Sequence, residues 1–122
     1  MKLRIKGNSL RIRLTKTEVS ILADTGHLEE QISFPNKLFT YALQKDEDIQ
    51  ELSATFTDNK ITMFVPASFV NDWPGNNVTG LNTKMPISET ESLYLLIEKD
   101  FVCLDETTED QSDNYKNPNK NC

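Results

Sequence analysis

The first sixteen residues constrain the fold more than any other stretch of the chain. Lys2, Arg4 and Lys6 alternate with Leu3 and Ile5, and Leu10, Ile12 and Leu14 alternate with Arg11 and Arg13. Successive side chains of a strand point to opposite faces, so this period of two puts the apolar residues on one side and the cations on the other. Gly7-Asn8-Ser9 between the two runs is turn chemistry. The segment reads as a β-hairpin with one apolar and one cationic face.

The next signals alternate between helix and strand. Thr15 with Glu18 three residues later is a capping box, which satisfies two free amide donors at a helix start. Val19, Ile21 and Leu22 give a short apolar stripe and Gly26 a left-handed stop, so a helix is expected over about 16–24. Leu28, Ile32 and Phe34 mark a strand, in which Glu30 falls oddly on the apolar side. Pro35-Asn36 is a turn, and Phe39, Tyr41 and Leu43 mark the next strand. Lys45-Asp46-Glu47-Asp48 reads as a charged loop. Leu52, Ala54 and Phe56, then Ile61, Met63 and Val65, flank Asp58-Asn59, so 50–65 is a second hairpin. Pro66 suits a first helical turn, and Phe69, Val70 and Trp73 have helical spacing. A short strand is expected over 78–84 and a long one from Leu93 to Cys103.

The order strand–helix–strand thus occurs at 10–34 and again at 60–82, with shared pattern and different residues. A pseudo-repeat and the ordinary reuse of such units in small α+β domains are both open readings.

Together these elements predict an α+β fold: a bent, mostly antiparallel sheet or open barrel with two short helices and an acidic C-terminal tail. The expected core is Leu3, Ile5, Leu10, Ile12, Leu14, Val19, Leu22, Phe56, Met63, Val65, Leu95, Ile97 and Phe101. Residues 1–104 are expected to form one domain and 105–122 an acidic polar tail, because the tail holds five acids and Tyr115 as its single aromatic. A chain of 122 residues, 37% hydrophobic and 26% charged, is long enough for one core. It has no apolar run of transmembrane length and no apolar run behind the opening charges, so neither a membrane span nor a secretory signal is expected. Two cysteines, Cys103 and Cys122, are read as thiols in a cytoplasmic setting.

Charge distribution points to function more than net charge does. The total of −6 disfavours general nucleic-acid binding. Yet six of the thirteen cations, all three arginines among them, and none of the nineteen acids lie in residues 1–16. Like charges directly opposite across two strands destabilise the pair. The face formed by Lys2, Arg4, Lys6, Arg11 and Arg13 therefore needs something negative. Either it takes an anionic ligand or acidic protein partner, for which the arginine fork is well shaped, or the protein's own Glu98, Asp100, Glu29 or Glu30 compensate it. The acidic tail is a further candidate cover, competing there with an acidic partner.

Three other constellations carry less. Cys103 with Cys122 and the tail carboxylate Asp105 is a mixed donor set for a transition metal, but without Cys-x-x-Cys or paired-histidine spacing; a buried free cysteine is ordinarily a small hydrophobe. No cofactor is indicated. His27, the single histidine, has no nucleophile or orienting partner at a known spacing, so an enzyme of unknown type ranks below a small non-catalytic binding or accessory protein. Trp73, Phe69 and Phe64 are an aromatic set better explained by packing under the second helix than by an exposed partner patch.

The run Met1-Lys2-Leu3-Arg4-Ile5-Lys6-Gly7-Asn8-Ser9-Leu10-Arg11-Ile12-Arg13-Leu14-Thr15 resembles the opening of an uncharacterised family of short bacterial proteins. The later Ile97-Glu98-Lys99-Asp100-Phe101-Val102-Cys103-Leu104 and the ending Asp113-Asn114-Tyr115-Lys116-Asn117-Pro118 are similar to that family too. The resemblance implies a bacterial cytosolic setting and no catalytic residue.

Overall fold

The structure is a computed structural model, and it describes residues 1–101 together with Asp113 and Tyr115. The opening alternation becomes β1 (Lys2–Lys6) and β2 (Ser9–Leu14), paired antiparallel with Arg4 opposite Arg11. α1 (Lys16–Thr25) starts on the expected box: the Thr15 hydroxyl accepts from the Glu18 amide and the Glu18 carboxylate accepts from the Thr15 amide. It stops at Gly26, whose φ of 80° is the left-handed cap. β3 (His27–Ser33) and β4 (Leu38–Asp46) follow as a second hairpin; β4 takes in Lys45 and Asp46 of the stretch expected to be a charged loop, and Glu47 and Asp48 turn after it. β5 (Ser53–Thr57) and β6 (Lys60–Pro66) are joined by Asp58 and Asn59, both at positive φ, the backbone that a two-residue hairpin turn requires. α2 (Ala67–Val70) and a 3-10 turn (Trp73–Gly75) replace the single second helix. β7 (Gly80–Pro86) and β8 (Ser92–Lys99) complete the described elements.

The strands form two four-stranded sheets, ordered β1-β2-β8-β7 and β3-β4-β6-β5. Four of the six pairings are antiparallel, as expected. The central pairs, β2 with β8 and β4 with β6, are parallel, which short-range alternation cannot reveal. The sheets face one another across a shared core in which Leu10, Ile12, Leu95 and Ile97 of one meet Leu43, Met63 and Val65 of the other. Their edges also approach. The Ala54 amide on β5 donates to the Met85 sulfur on β7, and the Tyr41 hydroxyl donates to the Met1 carbonyl ahead of β1.

The pairing scheme repeats. Each half of the chain is a hairpin, a helical crossover and a second hairpin, and each sheet takes one hairpin from each half. The Tyr94 amide donates to the Asn8 carbonyl, and the Thr40 amide donates likewise to Asn59; Lys45 donates to Gly26 and Lys99 to Thr79. Val19 and Leu22 on α1 correspond to Val70 and Trp73 after β6, and all four are fully buried. The pseudo-repeat reading is therefore the correct one. Because parallel partners share a direction, the two hairpin turns of each sheet lie at one end of it. α1 packs on α2 and the 3-10 turn, so both crossovers lie together at one end of the molecule and the four turns at the other.

Most of the expected core is buried, with Leu3 and Phe101 partly so. Two residues are corrections. Ile5 and Phe56 lie on the core-facing side of β1 and β5 but beyond the last core layer, at the turn end, and are 62% and 67% exposed. Alternation gives the face of a residue, not how far the opposite sheet reaches along it.

Glu30, the misplaced acid, is explained by its partners. Its carboxylate accepts from the Tyr41 hydroxyl at 2.6 Å and from the Met1 amino group at 3.2 Å. Burial and this carboxylate push the Tyr41 phenol up to about 12. Trp73 is fully buried, with its indole N–H donating to the Val78 carbonyl and its ring tilted against Phe69, so it belongs to the core and not to an exposed patch. No described helix is long and apolar enough to cross a membrane.

Candidate functional site

The outer face of the β1-β2-β8-β7 sheet is a grid of three rows set by register. The row nearest the crossovers is Lys2, Arg13, Glu98 and Gly80; the middle row is Arg4, Arg11, Leu96 and Asn82; the row nearest the turns is Lys6, Ser9, Tyr94 and Lys84. All five cations chosen from the sequence lie on this face.

Among the described residues, compensation is confined to the first row. The Arg13 guanidinium donates to the Glu98 carboxylate at 2.6 Å, and the Lys2 ammonium lies 3.1 Å from Asp100. Asp100 is itself nearly buried, with its amide donating to the Leu14 carbonyl. The two acids expected to neutralise the hairpin thus serve Arg13 and Lys2. Among the described residues, Arg4, Lys6, Arg11 and Lys84 have no carboxylate partner. Arg4 and Lys6 are exposed and Arg11 is half-buried, beside the nearly buried Leu96. An arginine stem covers such an apolar neighbour while its guanidinium stays in water.

Lys84 was not among the residues selected from the sequence. Its signal was there, in the alternation of Asn82 and Lys84 with Leu81, Thr83 and Met85, but it mattered only once β7 was known to lie two strands from β2. Tyr94, between Ser9 and Lys84, adds a half-buried aromatic ring to the same row.

The repeat supplies an internal control. On the other sheet the positions of Lys2, Arg4 and Arg11 are held by Ser53, Thr55 and Thr62, and Thr55 pairs directly with Thr62 as Arg4 does with Arg11. Threonine pairs suit a half-exposed strand surface. The architecture therefore has no requirement for cations at this place, and the arginines need another reason.

His27 opens β3 on the outer face of the second sheet. Its Nδ1 lies 3.0 Å from Gln44 Oε1 and its Nε2 3.4 Å from a Glu29 oxygen, which also accepts from Lys60 at 2.7 Å. Lys60, ahead of His27, holds the Glu29 carboxyl below its usual range. The trio is an exposed cluster in which the Thr25 hydroxyl bonds His27 only through its backbone, and among the described residues no serine, threonine or cysteine bonds the imidazole. Cys103, Cys122 and Asp105 lie outside the described residues, and among the described residues no group of three or more His, Cys, Asp or Glu side chains is placed to hold a metal ion.

Two tail residues are described, and both pack at the crossover end. Asp113 accepts from the Thr17 hydroxyl, and its backbone carbonyl accepts from the Lys16 amide at the start of α1. Tyr115 packs edge-on against Phe101 and lies 4.8 Å below the Lys99 ammonium.

A profile of a family of unknown function, DUF7009, matches residues 1–119. The chain belongs to DUF7009. The match spans both halves of the repeat, so the doubled architecture and the basic face lie within the span of the DUF7009 profile. No curated protein and no solved structure matches the chain.

Proposed function

We propose that this DUF7009 protein is a small non-catalytic binding or accessory protein, acting in the cytoplasm, whose basic sheet face contacts an acidic protein partner or another anion. One observation carries the reading: Arg4 and Arg11 face each other without a carboxylate among the described residues, where the repeated half has a Thr55–Thr62 pair. Opposed like charges cost stability, and a costly feature placed where the fold accepts threonine is accounted for by a partner. Arg4, Lys6, Arg11 and Lys84 are spread over three strands of a sheet face. That spacing suits an extended row of carboxylates or phosphates better than one small ion. Tyr94 and the Leu96 edge add contact area beside the charges.

The test is binding of the full chain to an immobilised polyglutamate peptide and, separately, to inorganic polyphosphate at low salt. Arg4→Thr/Arg11→Thr should weaken binding at least tenfold, and added salt should weaken the parent protein in the same way. Undiminished binding by the double variant sinks the proposal.

A further inference from the structure

Six of the eight large hydrophobic side chains exposed among the described residues gather at the turn end. These are Ile5, Ile32, Phe34, Leu38, Phe56 and Ile87. Isolated exposed hydrophobics are ordinary, but a cluster at one end of a molecule marks a contact surface. The repeat strengthens the point. Ile5 and Phe56 hold equivalent places before the tight turns of the two halves, and Phe34 and Ile87 hold equivalent places where β3 and β7 enter their loops. The halves have diverged at nearly every surface position, and each has kept large apolar groups at these two sites, where the fold does not bury them.

Charge indicates what covers this end. The first half contributes the turns carrying Lys6 and Lys37, with no acid between Ile5 and Leu10 or between Ser33 and Leu38. The second half contributes Asp58 in one turn and Glu89 and Glu91 in the other; Lys60, which closes the first of these turns, is held by Glu29. Around the rim the strands run β1-β2-β8-β7, then β5-β6-β4-β3, with β7 meeting β5 and Glu30 of β3 meeting the Met1 amino group ahead of β1. The two basic turns are therefore neighbours, and so are the two acidic ones. The end is an apolar patch with one positive and one negative side.

Such a surface is complementary to itself. A second molecule, inverted by a two-fold axis lying in the plane of the patch and between its charged sides, sets acidic turns over basic turns on both sides and apolar groups on apolar groups. We propose that the protein forms an end-to-end homodimer through its four hairpin turns. The pairing leaves the outer face bearing Arg4 and Arg11 open and shares only Lys6 with the binding function proposed above.

The experiment is sedimentation velocity of the full chain over a concentration series at low and high salt. The mass should rise from 13.9 kDa toward twice that value, with the rise shifted to higher concentration by salt. Phe34→Ser/Phe56→Ser should abolish it. Glu89→Lys/Glu91→Lys leaves Asp58 as the one acid in the turns, and Lys6→Glu/Lys37→Glu leaves Lys60 and Lys84 as the cations beside them, so each variant alone should stay a single chain. An equimolar mixture of the two should recover the doubled mass, which also shows that both are folded. Arg4→Thr/Arg11→Thr should associate like the parent. A parent protein that stays at single-chain mass throughout overturns the proposal, as do charge variants that self-associate normally or fail to associate when mixed.

Discussion

Lys45 and Lys99 hold the same place in the two halves of the fold, and each reaches back to a carbonyl at the end of its own crossover. Lys45 Nζ donates to the Ala23 carbonyl in the last turn of α1, at 2.9 Å, and Lys99 Nζ to the Asn76 carbonyl after the 3-10 turn, at 2.7 Å. Neither helical segment has a basic residue in its own last turn. The strand returning from the second hairpin supplies the positive charge that the helix end favours.

Removing Lys99 should therefore destabilise the protein. Its ammonium is nearly buried, and burial holds it below the usual lysine range while Trp73 and Tyr115 offer their ring faces. Lys99→Met keeps the stem and leaves the Asn76 carbonyl without its donor, a loss of about 1–3 kcal/mol. Lys45→Met should cost less, because Lys45 is only half-buried and water can replace it. Urea unfolding of the two variants against the parent measures both, and an equal or larger loss at Lys45 contradicts the burial argument.

A second prediction concerns alkaline pH. The Tyr41 phenol, raised to about 12 in the folded protein by burial and by Glu30, ionises near 10 in the unfolded chain. Between those values the folded state holds a proton that the unfolded state has released, so stability falls as pH rises through the window. This stabilisation is complete below pH 10. Tyr41→Phe should flatten the fall seen in thermal melts between pH 10 and 12. An unchanged slope removes Tyr41 as its source.

The third prediction pits stability against binding. Arg4→Thr/Arg11→Thr copies the Thr55–Thr62 pair of the other sheet and removes an opposed like-charge pair. Stability should rise by roughly 0.2–1 kcal/mol while anion binding is lost. The reverse graft, Thr55→Arg/Thr62→Arg, should lower stability by a similar amount. Calorimetric melts of the two double variants decide it; a destabilised Arg4→Thr/Arg11→Thr would mean that the arginines serve the fold.

Much of this was legible in the sequence because it is local. The hairpin at 2–14, the Thr15–Glu18 box, the Gly26 stop and the turn at Asp58-Asn59 each depend on a few adjacent residues. Sheet partition was not legible. The parallel pairing of β2 with β8 joins Leu10 to Leu95, and nothing near either residue encodes the other. The same blindness placed Ile5 and Phe56 in the core and left Lys84 out of the site. The division of Glu98 to Arg13 and Asp100 to Lys2, with Arg4 and Arg11 left over, likewise needed the register between strands distant in sequence. The repeat was visible as an order of elements, but the matched pairing scheme and the matched hydrogen bonds at Asn8 and Asn59 and at Gly26 and Thr79 establish it.

The last prediction separates two glycines that a sequence presents alike. Gly26 needs its backbone: φ is 80°, and a Cβ there would meet nothing closer than the Lys45 side chain at 3.7 Å. Gly80 needs its emptiness: a Cβ would stand 2.2 Å from the Ile97 carbonyl oxygen and 2.9 Å from the Glu98 Cα, both main-chain atoms of the adjacent strand. Asparagine visits the left-handed region more readily than alanine does, which faces a cost of about 1–2 kcal/mol there. Gly26→Asn should thus be milder than Gly26→Ala. At Gly80 the order should vanish, because any Cβ forces β7 away from β8, at about 1–3 kcal/mol or more. Displacing β7 also moves Lys84 relative to Arg11, so Gly80→Ala should weaken polyglutamate binding even under conditions where the variant remains folded. Chemical denaturation of the four variants, with binding measured on the folded ones, checks both parts. A Gly80→Ala protein as stable as the parent would show that the two strands are not held as closely as their register implies.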